Sequence, residues 1–149
     1  MTDEDTTMKL PTIAAAIAAT LMTSISPASA ADLAIEITSI KNSSGTIMIA
    51  LYDDAETFLS RDGLAARTRM PATAGSLLHV FTGLAPGDYA VSVFHDTDGD
   101  GRLKVGAYGQ PVEPWGMSRD ARGEMGPPRF EDAAITVSTS GATARITLK

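Results

Sequence analysis

Apolar residues recur at every second position along most of this chain, which is the period of a β-strand with one buried face. Six such runs occur, at residues 33–38, 46–52, 76–82, 88–95, 134–138 and 142–148. Their number, their short length and the turn residues between them predict an all-β domain. We expect a single antiparallel β-sandwich of the prealbumin-like or immunoglobulin-like type, with one long ordered loop.

Turn-forming residues separate consecutive runs. Asn42 to Gly45 predicts an antiparallel hairpin between the first two strands. Gly83 to Gly87 turns the third strand into the fourth, and Thr139 to Gly141 joins the last two. The sequence therefore predicts that strands adjacent in the chain reverse direction at short turns.

Two segments depart from the strand period. Asp53, with Glu56 three residues later, predicts the start of a short helix that buries Phe58 and Leu59. Residues 105–129 contain five glycines and four prolines, which exclude a regular helix or a central strand. Because this segment also contains large apolar side chains, we expect an ordered loop packed over the sandwich.

The first thirty residues read as an export signal. An apolar, alanine-rich run covers residues 10–25, and the small triplet Ala28-Ser29-Ala30 follows. This pattern predicts a secretory signal peptide in residues 1–30, cleaved after Ala30, with Met8 as an alternative start that gives a basic amino terminus. The run is shorter than the roughly 20 residues of a membrane-spanning helix. We expect residues 31–149 to form one periplasmic or secreted domain with no membrane span.

Composition narrows the classes of partner. The whole chain has a formal net charge of −6, and the segment 1–30 contains Asp3, Glu4, Asp5 and Lys9, so the rest carries −4. This acidic chain has no basic patch, which argues against nucleic acid as a partner. It contains no cysteine, so core packing, with or without a bound metal, must stabilise an exported domain that has no disulfides.

Acidic residues are concentrated after the fourth strand, in the sequence H-D-T-D-G-D-G of residues 95–101. Asp96, Asp98 and Asp100 match the first, third and fifth ligand positions of a calcium-binding loop, and Arg102 can offer its backbone carbonyl at the seventh. A later carboxylate, Glu113, could fold back to complete the shell. Calcium is therefore the expected cation. The alternative is a turn in which the Asp-Gly pairs only reverse the backbone.

Three motifs in order carry a family resemblance. They read F-T-G-L-A-P-G-D-Y-A-V-S-V-F-H-D-T-D-G-D-G, then Y-G-Q-P-V-E-P-W-G-M-S, then G-P-P-R-F-E-D-A. The sequence resembles the small exported bacterial proteins of domain of unknown function 2141. The resemblance implies an exported β-sandwich and brings no established activity. Asp98 and Asp100 stand where that family commonly has asparagine, which should tighten a cation, whereas Lys104 stands where an acidic residue is common, which should weaken it.

The long loop suggests a binding role. His95, Tyr108, Trp115 and Met117 are the candidate ligand contacts, for an envelope component, a peptide or a glycan. In the alternative, the aromatic side chains point inward and close one end of the sandwich. Solvent exposure of Trp115 distinguishes a binding platform from a lid.

Two further hypotheses use His95. In a small periplasmic enzyme, His95 would be a base oriented by Asp96, but no nucleophile motif or zinc-binding histidine pair accompanies them. In a copper protein, His95, Met117 and Met125 would be soft ligands, although their spacing shows no repeated motif. The sequence favours a noncatalytic binding or envelope-associated structural role.

Overall fold

A computed structural model describes residues 30–149, so the predicted signal peptide, apart from its last residue, lies outside the described residues. The described part contains eight strands, one short 3-10 turn and one short helix. These are β1 Ala31–Ile40, β2 Thr46–Tyr52, β3 Ala66–Pro71, β4 Gly75–Leu84, β5 Gly87–Asp96, β6 Trp115–Met117, the 3-10 turn Ser118–Asp120, the helix α1 Phe130–Ala133, β7 Ile135–Val137 and β8 Ala142–Thr147. The domain is thus nearly all β, as the alternating pattern predicts.

The strands form two sheets. One has three strands in the order β4-β1-β8, and the other has the order β3-β2-β5-β6, with β7 also paired to β5. All pairs are antiparallel except β1 with β8, which run parallel with Leu33 opposite Ala142. The parallel pair departs from the antiparallel sheet expected from the sequence.

Both sheets bury their inner faces in one hydrophobic core. Alternate residues of β1, β2 and β5 supply most of it, and all are buried: Leu33, Ile35, Ile37, Ile47, Ile49, Leu51, Val91 and Val93. The intervening residues face outward, because side chains alternate across a strand. The architecture is therefore sandwich-like, with one core between two sheets.

The predicted turns cross between the sheets instead of forming hairpins within one sheet. Residues 42–45 lead from β1 to β2, residues 85–86 lead from β4 to β5, and residues 138–141 lead from β7 to β8. In each case the two strands belong to different sheets, so the hairpin predicted between the first two strands is wrong. A turn residue indicates that the chain reverses, but not which strand becomes the partner. Because each connection leads from one sheet to the other, the apolar faces of the two strands meet in the core.

The helix predicted after Asp53 does not form. Residues 53–65 are turns and bends, and Asp54 rather than Asp53 holds the first turn, with its Oδ1 accepting the Glu56 amide at 2.8 Å. Phe58 still packs inward, with its ring 5.3 Å from that of Tyr52 and 5.7 Å from that of Phe130. These edge-to-face contacts satisfy the apolar side chains without a regular helix.

Strand β3 was not predicted from the sequence. Its outward residues include Arg67 and Arg69, and its inward residues Ala66, Thr68 and Met70 are only half-buried. The two faces of β3 therefore differ little in burial, and the sequence of this strand shows no clear alternation of apolar and polar residues. It forms as the edge partner of β2, with Ile49 opposite Thr68.

The long loop is ordered and contains β6 and the 3-10 turn. A second hydrophobic cluster forms beneath it from Ala90, Met117, Ala121 and Ala133, and Trp115 packs against that cluster. Trp115 and Lys149 exchange two backbone hydrogen bonds of 3.2 and 3.1 Å. Across residues 30–149, no helix has the length and apolar character to cross a membrane.

Candidate metal centre

Strand β5 ends at Asp96, whose buried carboxylate organises the turn that follows. Its Oδ1 accepts the Gly99 amide at 2.7 Å, and its Oδ2 accepts the Gly101 amide at 2.9 Å. Gly99 and Gly101 have φ values of 80° and 74°, in the left-handed region that glycine adopts without a steric penalty. The two Asp-Gly pairs thus wrap the backbone around the Asp96 carboxylate. We call residues 96–102 the aspartate loop.

The next two aspartates hold shorter turns of this loop. Asp98 Oδ1 accepts the Asp100 amide at 3.3 Å, and Asp100 Oδ1 accepts the Arg102 amide at 2.7 Å. Asp98 Oδ2 also lies 3.1 Å from the Lys104 ammonium. The hydrogen bond from Lys104 is the main reason that the pKa of Asp98 is lowered, and Asp98 in turn raises the pKa of Lys104.

Glu113 folds back onto the aspartate loop from eleven positions beyond its end. Its buried Oε1 accepts the Thr97 amide at 2.7 Å and the Thr97 hydroxyl at 2.9 Å, and its Oε2 accepts the Lys104 amide at 3.0 Å. Burial by itself raises the pKa of Glu113, but these hydrogen bonds favour the ionised form and leave the pKa below its usual value. A buried carboxylate is therefore kept charged next to two aspartates.

Asp96, Asp98 and Glu113 form what we call the carboxylate cluster. One oxygen from each lies within 4.8 Å of the others. Calcium takes carboxylate oxygens at 2.3–2.6 Å, so an ion between oxygens at this spacing could reach all three. The donor set is hard oxygen only, which suits calcium or magnesium better than a soft metal.

The structure brings together three of the five residues that the sequence nominated as metal ligands. Asp100 lies outside the carboxylate cluster, exposed, with Oδ1 bound to the Arg102 amide. Arg102 is also exposed, and a ligand role for its carbonyl remains a prediction. Glu113 joins the cluster because the chain returns antiparallel beside the loop, with the His95 amide donating to the Pro114 carbonyl at 2.8 Å.

His95 lies on the inner face of β5 and is 0% exposed. Its Nε2 donates to the Ser44 carbonyl at 2.5 Å, and its Nδ1 has no hydrogen-bond partner among the described residues. The neighbouring Asp96 has both oxygens bound to backbone amides. In this arrangement His95 offers no surface to a ligand, and the pair of side chains does not open to solvent.

The three aromatic and methionine candidates are separated by burial. Met117 is buried in the second hydrophobic cluster, and half-buried Trp115 packs against it. Tyr108 is 95% exposed. The arrangement of Trp115 and Met117 is that of a lid over the sheet, and only Tyr108 projects freely.

Tyr108 lies at the tip of a compact hairpin, residues 104–112, which we call the tyrosine hairpin. The Val112 amide donates to the Lys104 carbonyl at 2.8 Å, and the Gly106 amide donates to the Gln110 carbonyl at 2.7 Å. The Gln110 side chain also accepts the Tyr108 amide at 3.1 Å. Val105 and Val112 are exposed on the same hairpin. Its two ends, Lys104 and Val112, adjoin the carboxylate cluster.

The three candidate copper ligands also differ in their exposure to solvent. Met125 is fully exposed, Met117 is buried in the second cluster, and the His95 imidazole is engaged by Ser44. The structure therefore does not present these three side chains as one exposed ligand set.

Sequence reasoning missed the contribution of Gly45 to the site. Gly45 has a φ of 73°, and a Cβ added there would collide with the Asp96 carbonyl oxygen. It lies beside the aspartate loop because Thr46 pairs with Asp96 in the β2–β5 ladder. The glycine is visible in the sequence as a turn residue, but its contact depends on a strand register that no local pattern specifies.

Comparison with known families gives one match. A family model described as an uncharacterised protein conserved in bacteria (DUF2141) matches residues 35–145. No curated protein matches the chain, and no solved structure matches it. The matched range contains the carboxylate cluster, the tyrosine hairpin and all but the ends of the two sheets.

Proposed function

The chain belongs to the DUF2141 family of uncharacterised bacterial proteins, and from that premise we propose that it is an exported, noncatalytic binding or envelope-associated structural protein. We assign it a β-sandwich of the prealbumin-like or immunoglobulin-like type, with calcium stabilising the aspartate loop. The observation that carries this proposal is the carboxylate cluster, in which three carboxylates from one short stretch converge within 4.8 Å.

Electrostatics explain why a cation would stabilise this loop. Asp96 and Glu113 are buried, and Asp98 is an exposed neighbour. Like charges at this distance repel, and Lys104 supplies one compensating positive charge, through Asp98. A divalent ion would neutralise more of the cluster. Its affinity would fall in the range of extracellular calcium modules, about 10⁻⁴ to 10⁻³ M, because the site has only three carboxylates.

The tyrosine hairpin is the proposed contact surface. It presents Tyr108, Val105 and Val112 to solvent and is attached to the carboxylate cluster through Lys104 and Glu113. A cation in the cluster would therefore fix the base of the hairpin. The partner would be an envelope component, a peptide or a glycan, since an exposed tyrosine provides an apolar face and a polar hydroxyl.

Export and the absence of catalysis rest on separate observations. The apolar run before Ala28-Ser29-Ala30 supports an exported module. The burial of His95 and Asp96 supports a noncatalytic role, because an acid–base pair must reach its substrate. An enzyme using His95 and Asp96, or a soft-metal protein, is less well supported by this geometry.

Thermal unfolding of the chain from Ala31 onward tests the cation. A ligand that binds only the folded state raises the melting temperature as its concentration passes its dissociation constant. We expect millimolar calcium to raise the Tm of the wild type and not of Asp98→Ala/Asp100→Ala. The control double variant Asp53→Ala/Asp62→Ala removes the same charge from exposed positions outside the cluster and should keep the calcium response. An unchanged wild-type melt in calcium and in magnesium would refute the cation site.

Nuclear magnetic resonance with short peptides and cell-wall glycan fragments tests the contact surface. We expect shift changes at Val105, Tyr108 and Val112 that are larger in calcium than in chelator. Tyr108→Ala should abolish them while retaining the calcium-dependent melt. Shift changes confined to other surfaces would overturn the assignment of the tyrosine hairpin.

A further inference from the structure

Strand β4 leaves one backbone edge without a strand partner in residues 30–149. It pairs with β1 on one side and ends the three-stranded sheet on the other. Its ten residues, G-S-L-L-H-V-F-T-G-L, include no charged residue and no proline. At about 3.3 Å per residue the edge is roughly 33 Å long. An open edge of this length is a template for pairing with another strand.

The other edge strands of the described residues, β3, β6, β7 and β8, carry features that oppose such pairing, and β7 has only three residues. Strand β3 has exposed Arg67 and Arg69 and ends at Pro71. Strand β6 has only three residues, and Lys149 hydrogen-bonds to its first residue. Strand β8 carries exposed Arg145. Charge, proline, short length and bulges are the usual protections of natural sheet edges. Strand β4 has none of the first three, and the register shifts in its ladder with β1 lie outside the regular stretch of residues 77–81.

The outward face of β4 is apolar at its centre. Leu78 is 61% exposed and Val80 is 40% exposed. Their neighbours across the ladder are Glu36 and Ala34 of β1, and Glu36 is already neutralised by Arg145, with Nη2 2.8 Å from Oε2. The face beside this edge is thus nearly free of uncompensated charge.

We propose that the edge of β4 is an interface for a second copy of this chain, which adds its own β4 antiparallel and joins two three-stranded sheets into one of six strands. A strand paired antiparallel with itself is two-fold symmetric, so both copies satisfy the same backbone groups. Charge favours this occupant, because self-pairing of β4 brings no like charges together. The same operation centred on Thr68 of β3 would place Arg67 opposite the partner's Arg69.

Side-chain alternation selects the register. Facing residues in an antiparallel pair must lie on the same side of the sheet. One residue of β4 must therefore face the same residue of the second copy, with the two-fold axis midway between them, and we name each register by that residue. With His79 on the axis, Leu78 lies opposite the partner's Val80 and Leu77 opposite the partner's Phe81. The central pair is His79 with the partner's His79, which carries little charge near neutral pH because burial lowers the pKa of His79. The pairs on either side of it join apolar with apolar residues. With Val80 on the axis, Leu78 would face the partner's Thr82, which loses the apolar pair.

A cysteine cross-link tests both the interface and its register. The chain has no cysteine, so introduced thiols report without background. In the His79-centred register Ser76 lies opposite the partner's Thr82, and both residues are exposed in the single copy. Within one chain they are roughly 20 Å apart, too far for a disulfide. We expect the double variant Ser76→Cys/Thr82→Cys to give a covalent dimer on mild oxidation.

Single variants provide the register control. Ser76→Cys alone and Thr82→Cys alone should stay uncross-linked, whereas an equimolar mixture of the two should form a mixed dimer. Cross-linking of either single variant with itself would overturn the register. Absence of a cross-link in both the double variant and the mixture would overturn the interface.

Sedimentation equilibrium of the full chain tests the interface without a cross-link. We expect a concentration-dependent dimer for the wild type and at least tenfold weaker association for Val80→Lys. Thr143→Lys is the matched control, because Thr143 is exposed on the opposite edge strand of the same sheet and, like Val80, lies opposite Ala34. It should dimerise as the wild type does. A wild type that stays monomeric up to about 1 mM, or equal weakening by both lysines, would refute the proposal.

Discussion

Glu113 accepts two hydrogen bonds from Thr97 through a single carboxylate oxygen, at 2.7 Å from the amide and 2.9 Å from the hydroxyl. Its second oxygen accepts the Lys104 amide, so one buried side chain joins the aspartate loop to the base of the tyrosine hairpin. We expect Glu113→Ala to lower the free energy of unfolding by about 2–3 kcal/mol, because buried donors lose their acceptor. Urea denaturation measures this, and exposed Glu124→Ala should change stability by less than ~0.5 kcal/mol.

The charge on Glu113 predicts a dependence of stability on pH. Its pKa in the folded protein lies below the usual 4.5. The unfolded state therefore takes up a proton first, so this contribution to stability is present above pH 4.5 and is lost as the pH falls through the lower, folded-state pKa. Unfolding free energies measured in chelator between neutral and acid pH should show this loss. The acid slope should be shallower in Glu113→Gln, and an identical slope would contradict the assignment.

Lys104 competes with a cation for Asp98. Its ammonium lies 3.1 Å from Oδ2 of Asp98, a member of the carboxylate cluster. We expect Lys104→Gln to tighten calcium binding on the order of fivefold, because the ion no longer competes with an attraction between two unit charges about 4 Å apart in a water-like dielectric. Calorimetric titration measures the change. Arg102→Gln removes the same charge from a neighbouring exposed position and should have a smaller effect, so equal effects would point to net charge rather than to the ion pair.

Two constraints require glycine at position 45: the close approach of the Asp96 carbonyl and a positive φ angle. A Cβ at this position would collide with the Asp96 carbonyl, and φ is 73°. Gly83 has nearly the same φ, 74°, with open space around it. We expect Gly83→Ala to cost about 1 kcal/mol from backbone strain alone, and Gly45→Ala to cost clearly more, since its neighbours must also move. Denaturant midpoints of the two variants check this difference, and equal losses would show that the contact is relieved easily.

Local alternation was sufficient to predict most strands but not their partners. Residues 46–52 form β2 with the bounds expected from the sequence, and β4 and β5 lie where the alternation indicated. A hairpin was expected at residues 42–45, a turn that in fact connects the two sheets, because a turn residue indicates chain reversal but not which sheet the next strand joins. Strand β3 was missed because its exposed arginines and half-buried inner residues give weak contrast.

The candidate site was predictable in its residue types and not in its geometry. The alternating aspartates marked the loop, and Glu113 was nominated although no spacing rule placed it there. Asp100 accepts the Arg102 amide and lies outside the carboxylate cluster. The spacing of a calcium-binding loop, from which Asp100 was predicted as a ligand, does not describe this local turn. The full burial of His95 follows from the length of β5, since its inner face continues through residue 95 before the loop begins.

The parallel pairing of β1 with β8 has a consequence for how the chain acquires its structure. Leu33 lies opposite Ala142, so β1, the central strand of its sheet, has both neighbours only after the last strand, β8, has paired with it. Contacts of such large sequence separation slow folding, because the chain must close a long loop before they form. Until then β1 exposes a ten-residue strand with an apolar face, which is an aggregation hazard while the chain folds.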